Sequence, residues 1–96
     1  MANVLIIDDE YESRMAIAEY LLSSSISFYN VHEAVTYKKA EQMIHKLKPS
    51  ILFLEVSLPD GNGMELGKIA KDLNPDIYII IVTYLKEFDL VYKSIN

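Results

Sequence analysis

Residues 51–73 read ILFLEVSLPDGNGMELGKIAKDL, and their pattern decides the fold. Ile51 to Val56 is apolar but for Glu55, as in a central strand buried on both faces of a parallel sheet. Pro59, Gly61 and Gly63 then mark a turn. Beyond it Leu66, Ile69, Ala70 and Leu73 recur at i, i+3, i+4 and i+7, the spacing of one helical face, until Asn74 and Pro75 end the helix. A buried strand followed at once by an amphipathic helix is a βα unit.

Working outward, the same unit recurs on both sides. Val4 to Ile7 is a short unbroken run rich in β-branched residues that ends at Asp8. From Tyr11 to Ser24 the period becomes helical, with Met15, Ala18 and Leu22 on one face, flanked by Ile17 and Leu21. Tyr29 to Ala34 is a weaker strand, and His32 and Glu33 within it point to an edge position. Ala40, Met43, Ile44 and Leu47 again fall at i, i+3, i+4 and i+7, and Pro49 stops that helix. Downstream, Ile77 to Val82 is the most apolar strand, followed by Phe88, Val91, Tyr92 and Ile95 at helical spacing. Four βα units joined by right-handed crossovers predict an α/β fold: a three-layer, doubly wound parallel sheet with helices on both faces. The whole of 1–96 is expected to be one domain, since a chain of 96 residues holds one modest core.

Composition narrows the function classes. Apolar residues make up 51% and charged ones 24%, as in an ordinary globular domain. The formal charge of -5, with no compensating basic cluster on a predicted face, argues against direct binding to nucleic acid or anionic lipid. No cysteine is present for disulfide or thiolate chemistry, and no apolar stretch reaches the length of a membrane span. The start MANVLII lacks the features of a signal peptide, so a cytoplasmic location is expected.

In doubly wound sheets functional groups collect at the carboxyl ends of strands. Asp8 and Asp9 after the first strand, Glu55 at the end of the third and Thr83 after the fourth all map there. Carboxylates brought this close repel one another unless they share a proton or a cation, and Mg²⁺ prefers oxygen ligands of this kind. Two competing signals are weak. GNGMELG at 61–67 looks like a loose dinucleotide loop, but no acidic residue ends a strand about 20 residues on to bind a ribose. His32 and His45 have no carboxylate or second histidine at ligand spacing.

With VLIIDDE at 4–10, VHEA at 31–34, ILFLEVSLPDGNGMEL at 51–66 and IIIVTY at 79–84, the chain resembles the receiver domain of bacterial response regulators, the CheY-like, flavodoxin-like fold. The resemblance covers the whole chain and implies strand order 2-1-3-4. It also implies that Asp8 and Asp9 hold Mg²⁺ with the backbone carbonyl of Ser57, that Glu55 stands at the phospho-acceptor position and lines the metal site, and that the Thr83 hydroxyl meets a phosphoryl oxygen. The implied partners are a histidine kinase or phosphotransfer protein and a downstream effector, and the implied role is signalling rather than catalysis.

Three departures from the family pattern matter. The acceptor is an aspartate in the family, and the additional methylene of Glu55 displaces the carboxylate by about 1.5 Å, a misplacement that costs on the order of 10²-fold in rate. Phosphorylation is therefore expected to be impaired, or its charge imitated by Glu55 itself. Tyr84 stands where the family has a small residue. The family's fifth strand and helix, with the lysine that pairs with the phosphoryl group, have no counterpart here, and Lys86 is a weak substitute. The chain is accordingly expected to be a C-terminally truncated receiver whose strand Ile77 to Val82 becomes an edge, favouring a homo-oligomer. A receiver that still accepts phosphate and a flavodoxin-like cofactor binder are the alternatives.

Overall fold

A computed structural model describes residues 2–24 and 29–82 of the chain. Its elements are β1 (Ala2–Ile7), α1 (Tyr11–Ser23), β2 (Tyr29–Ala34), α2 (Tyr37–Leu47), β3 (Ile51–Glu55), β4 (Ser57–Leu58), β5 (Gly61–Asn62), α3 (Gly63–Leu73) and β6 (Tyr78–Val82). The expected helix over Phe88 to Ile95, and Thr83, Tyr84 and Lys86, lie outside the described residues. Among the described residues no helix is long and apolar enough to cross a membrane.

The main sheet has four parallel strands in the order β2-β1-β3-β6, as expected from the sequence. β1 is central, and Val4, Leu5, Ile6 and Ile7 are all fully buried, which is why its sequence is an unbroken apolar run. Leu5 pairs with Leu52 and Ile7 with Leu54. These four point to one face, where they meet Ala40 and Ile44 of α2 and Leu66 and Ala70 of α3 in a single cluster. Val4 and Ile6 point to the other. Since β1 to β2 runs in one direction across the sheet and β2 to β3 to β6 in the opposite one, right-handed crossovers put α1 on that second face.

α2 begins with Thr36, whose hydroxyl oxygen accepts the Lys39 N–H at 3.1 Å, and ends at Lys48, which adopts a left-handed φ of 45° ahead of Pro49. α3 is capped by Asn62, whose side chain accepts the Met64 N–H at 2.9 Å. The amino ends of the strands are tied by backbone bonds from Ser50 N–H to the Asn3 carbonyl and from Tyr78 N–H to the Ser50 carbonyl.

Two features differ from the sequence reading. On α1 the half-buried positions are Ser13, Arg14, Ile17, Ala18 and Leu21, while Met15 and Leu22 are 39% and 84% exposed. The stripe is rotated because Arg14 occupies a sheet-facing position, where its guanidinium is tied to β1 and β2. The turn after β3 is also more ordered than glycine punctuation implied. β4 and β5 pair antiparallel, Ser57 with Asn62 and Leu58 with Gly61, to form a short hairpin before α3.

Candidate functional site

β1 and β3 are neighbours in the sheet, but their chains leave it toward helices on opposite faces, which opens a crevice at their carboxyl ends. Asp8 and Glu55 stand there. The register pairs Ile7 with Leu54, so the two carboxylates follow at the ends of adjacent strands, whose backbones lie about 4.8 Å apart. Asp8 is 1% exposed and Glu55 7%, which makes them the only charged residues in the core among the described residues. Ionised groups removed from water this completely need hydrogen bonds, a shared proton or a cation to offset the loss of hydration.

The protein meets part of that need through the backbone. Asp8 stays in the ladder, its N–H donating to the Ala34 carbonyl at 3.0 Å, and its Oδ1 accepts the Glu10 N–H at 2.9 Å, which starts the turn into α1. Its Oδ2 is buried and has no hydrogen-bond partner among the described residues. The Ser57 N–H donates to Glu55 Oε1 at 3.3 Å, so the side chain bends back toward its own loop. Asp9 and Ser57 are exposed at the mouth of the crevice. No three His, Cys, Asp or Glu side chains are gathered tightly enough to hold a metal ion among the described residues. Of the expected site residues, then, Asp8 and Glu55 converge, Asp9 and the Ser57 backbone flank them, and Thr83 lies outside the described residues.

Three groups hold this end of the sheet in place, of which the sequence reading noted only Gly63, and that only as part of a turn. Arg14 donates through Nη1 to the Asp8 carbonyl at 2.9 Å and through Nε to Glu33 Oε1 at 3.1 Å, and it lies 5.8 Å from the centroid of the Tyr11 ring. One guanidinium thus links α1 to the ends of β1 and β2. Asp60, in the turn between β4 and β5, accepts the Tyr37 N–H at 2.6 Å and the Lys38 N–H at 3.2 Å, fastening the loop after Glu55 to the first turn of α2. The Tyr37 N–H holds the Asp60 carboxyl below its ordinary range; desolvation opposes this, and the Lys38 N–H adds to the lowering. Desolvation and the negative charges of Glu65 and Glu41 push the Tyr37 hydroxyl up, and that hydroxyl donates to Glu65 Oε2 at 3.4 Å. Gly63 is the third: its N–H donates to the Val56 carbonyl at 2.7 Å, and a Cβ there would collide with the Glu55 carbonyl oxygen. Of these only the Pro59-Asp60-Gly61 turn has a local sequence signal.

The response regulator receiver domain profile aligns with residues 4–96. The chain belongs to that family. It is similar to Sporulation initiation phosphotransferase F of Bacillus subtilis, 28% identical over 91 residues that cover 95% of this chain and 71% of the relative. It also resembles the Sensory transduction protein LytT of Bacillus anthracis, 34% identical over 88% of this chain but only 34% of that protein. Among solved structures, a response regulator from Burkholderia pseudomallei described with a phosphorylated aspartic acid and a calcium ion superposes with a TM-score of 0.73. That match is 25% identical and covers 86% of this chain and 47% of the other. The receiver is thus a signalling module of two-component systems, and some of these relatives are much longer than the span matched here.

Proposed function

We propose that this receiver binds Mg²⁺ at Asp8, Asp9, Glu55 and the Ser57 carbonyl and transmits its signal by protein contact, with phosphoryl transfer impaired by Glu55 at the acceptor position. The observation that carries the reading is the burial of Asp8 and Glu55 at adjacent strand ends, with Asp8 Oδ2 lacking a hydrogen-bond partner among the described residues. A hard divalent cation is the species that two such carboxylates best accommodate. The Burkholderia pseudomallei structure, described with a phosphorylated aspartic acid and a calcium ion, supports the same expectation. When bound, the ion would neutralise charge on a phosphoryl group at the acceptor.

The chain's own residues set the limit on that chemistry. Glu55 projects one methylene further than aspartate and bends toward Ser57, so its carboxylate stands away from the position that an aspartate would hold. A histidine kinase or phosphotransfer protein, and an effector, are the partners this reading implies. The Thr83 hydroxyl is assigned the phosphoryl-oxygen role by resemblance.

Intact-mass analysis after incubation with acetyl phosphate and Mg²⁺ tests the reading. No adduct is expected on the natural chain, with partial labelling of Glu55→Asp. A stoichiometric, hydroxylamine-labile adduct on Glu55 would overturn it. Homo-oligomers formed through the edge of β6 belong to the same proposal. Among the described residues β6 pairs only with β3, and its Tyr78, Ile80 and Ile81 are 73%, 44% and 43% exposed. Light scattering that finds a monomer throughout the micromolar range would remove this part.

A further inference from the structure

We infer that the groove between the outer edge of β2 and the flank of α2 is a docking site for an acidic peptide segment, bound in extended form alongside β2. The groove has a volume of about 470 Å³ and is lined by His32, Lys39, Gln42, Met43, Lys46 and Leu47. It lies on the far side of β2 from the Asp8 and Glu55 crevice, and nothing in the proposed phosphoryl chemistry uses it.

Three observations converge on this occupant. The first is backbone. β2 forms six consecutive pairings with β1, and among the described residues no strand lies on its other side, so alternate N–H and C=O groups point away from β1 along an edge that borders the groove at His32. An extended peptide satisfies them by adding a strand, the mode in which main-chain bonds supply affinity and neighbouring side chains supply selectivity.

The second is charge. The chain carries -5 overall, yet α2 and its cap present Lys38, Lys39, Lys46 and Lys48 against one acidic residue, Glu41. Lys39 and Lys46 are exposed on the groove wall, and neither ammonium makes an ion pair or hydrogen bond among the described residues, where the ion pair present is Arg14 with Glu33. They are seven residues apart, so their backbones are separated by about 10.5 Å along the helix. Acidic side chains two or four residues apart on one face of a strand repeat at about 7 or 13 Å, a range that two flexible lysines can match.

The third is the floor. Met43 and Leu47 are half-buried there and offer apolar contact, Met43 with an adaptable thioether. A mixed floor of this kind suits a peptide better than nucleic acid, whose affinity depends on many phosphate contacts and which the net charge repels.

Chemical-shift titration of the whole ¹⁵N-labelled chain tests the proposal, with the blocked hexapeptide acetyl-EVEVEV-amide as probe and acetyl-KVKVKV-amide as its control. Saturable shifts confined to β2 and α2 are expected with the acidic peptide only. Affinity should fall at least about tenfold, or 1.4 kcal/mol, in the K39A/K46A variant and should weaken with added salt. Both substitutions are at exposed helical positions where alanine is well tolerated, so the fold is retained. The charge-reversed K39E/K46E variant should take the basic peptide instead. The proposal fails if the acidic peptide causes no shifts, if both peptides bind alike, if K39A/K46A binds as well as the natural chain, or if a single-stranded oligonucleotide displaces the peptide at equal affinity.

Discussion

The carbonyl oxygen of Glu55 occupies the space that a side chain on Gly63 would need. Gly63 has no unusual φ, so close approach and not backbone conformation makes glycine necessary here. The contact joins the end of β3 to the first residue of α3, and the Gly63 N–H bond to the Val56 carbonyl closes the same junction.

Gly63→Ala is therefore expected to destabilise the protein, because the methyl group meets rigid backbone on both Glu55 and Val56. Overpacking against groups that cannot rotate away costs roughly 1–3 kcal/mol. Chemical denaturation should show a lower midpoint with an unchanged slope. Gly67→Ala is the control: a Cβ there would meet side chains and no backbone, Leu54 at 3.3 Å and Ile79 at 3.9 Å, so a smaller loss is expected.

The contrast between these glycines shows what the sequence could reveal. Period and polarity place the strands and helices because burial on one or both faces imposes those periods. The ends of β1 and β3 consequently locate Asp8 and Glu55 without coordinates. The sheet-facing side of α1 is harder to read, because Ala16 and Tyr20, added to Met15, Ile17, Ala18, Leu21 and Leu22, spread non-charged, largely apolar residues over most of the helix circumference. Two contacts of Arg14, to the Asp8 carbonyl six residues before it and to Glu33 nineteen residues after it, settle its orientation. β4 and β5 have two residues each and so carry no period. The roles of Asp60 and Gly63 arise from tertiary neighbours that local chemistry does not announce.

Asp8→Asn should raise the melting temperature in metal-free buffer and abolish stabilisation by Mg²⁺. The substitution keeps an acceptor for the Glu10 N–H while removing one of two buried carboxylate charges at adjacent strand ends. Relief of even about 1 kcal/mol shifts Tm upward by roughly 4–8 °C in a domain of this size. For the natural chain, millimolar Mg²⁺ should raise Tm by mass action. Differential scanning fluorimetry with and without EDTA measures both, and an identical Mg²⁺ response in the variant would reject Asp8 as a ligand.

Arg14→Ala should cost about 1–2 kcal/mol, chiefly through the bond to the Asp8 carbonyl. The Glu33 partner is 48% exposed at its side chain, so that pair is screened by water and contributes less. Arg14→Lys keeps the charge but cannot donate to both partners from one planar fork. Its stability should lie between the two, and Glu33→Ala alone should be milder than Arg14→Ala in denaturant titrations.

Asp60 adds a pH dependence whose sign follows from its two backbone donors. Their hydrogen bonds lower its folded-state pKa below the unfolded carboxylate value of about 3.9. A group depressed in this way contributes stability that is fully present above the unfolded pKa and is lost as the pH falls through the folded one. At pH 7 the Asp60 carboxylate is therefore fully engaged with the Tyr37 and Lys38 N–H groups. Asp60→Ala removes both acceptors, leaves the first turn of α2 with orphan donors, and frees the loop that follows Glu55. The variant should melt at lower temperature than the natural chain at pH 7, and the gap should narrow as the pH is taken below about 4. Asp60→Asn, with one neutral acceptor, should fall between them; its gap to the natural chain should also narrow in acid, while its gap to Asp60→Ala stays constant. Thermal melts followed by circular dichroism over that range would decide it, and a gap that stays constant or widens toward acid would contradict the role assigned to the carboxylate charge.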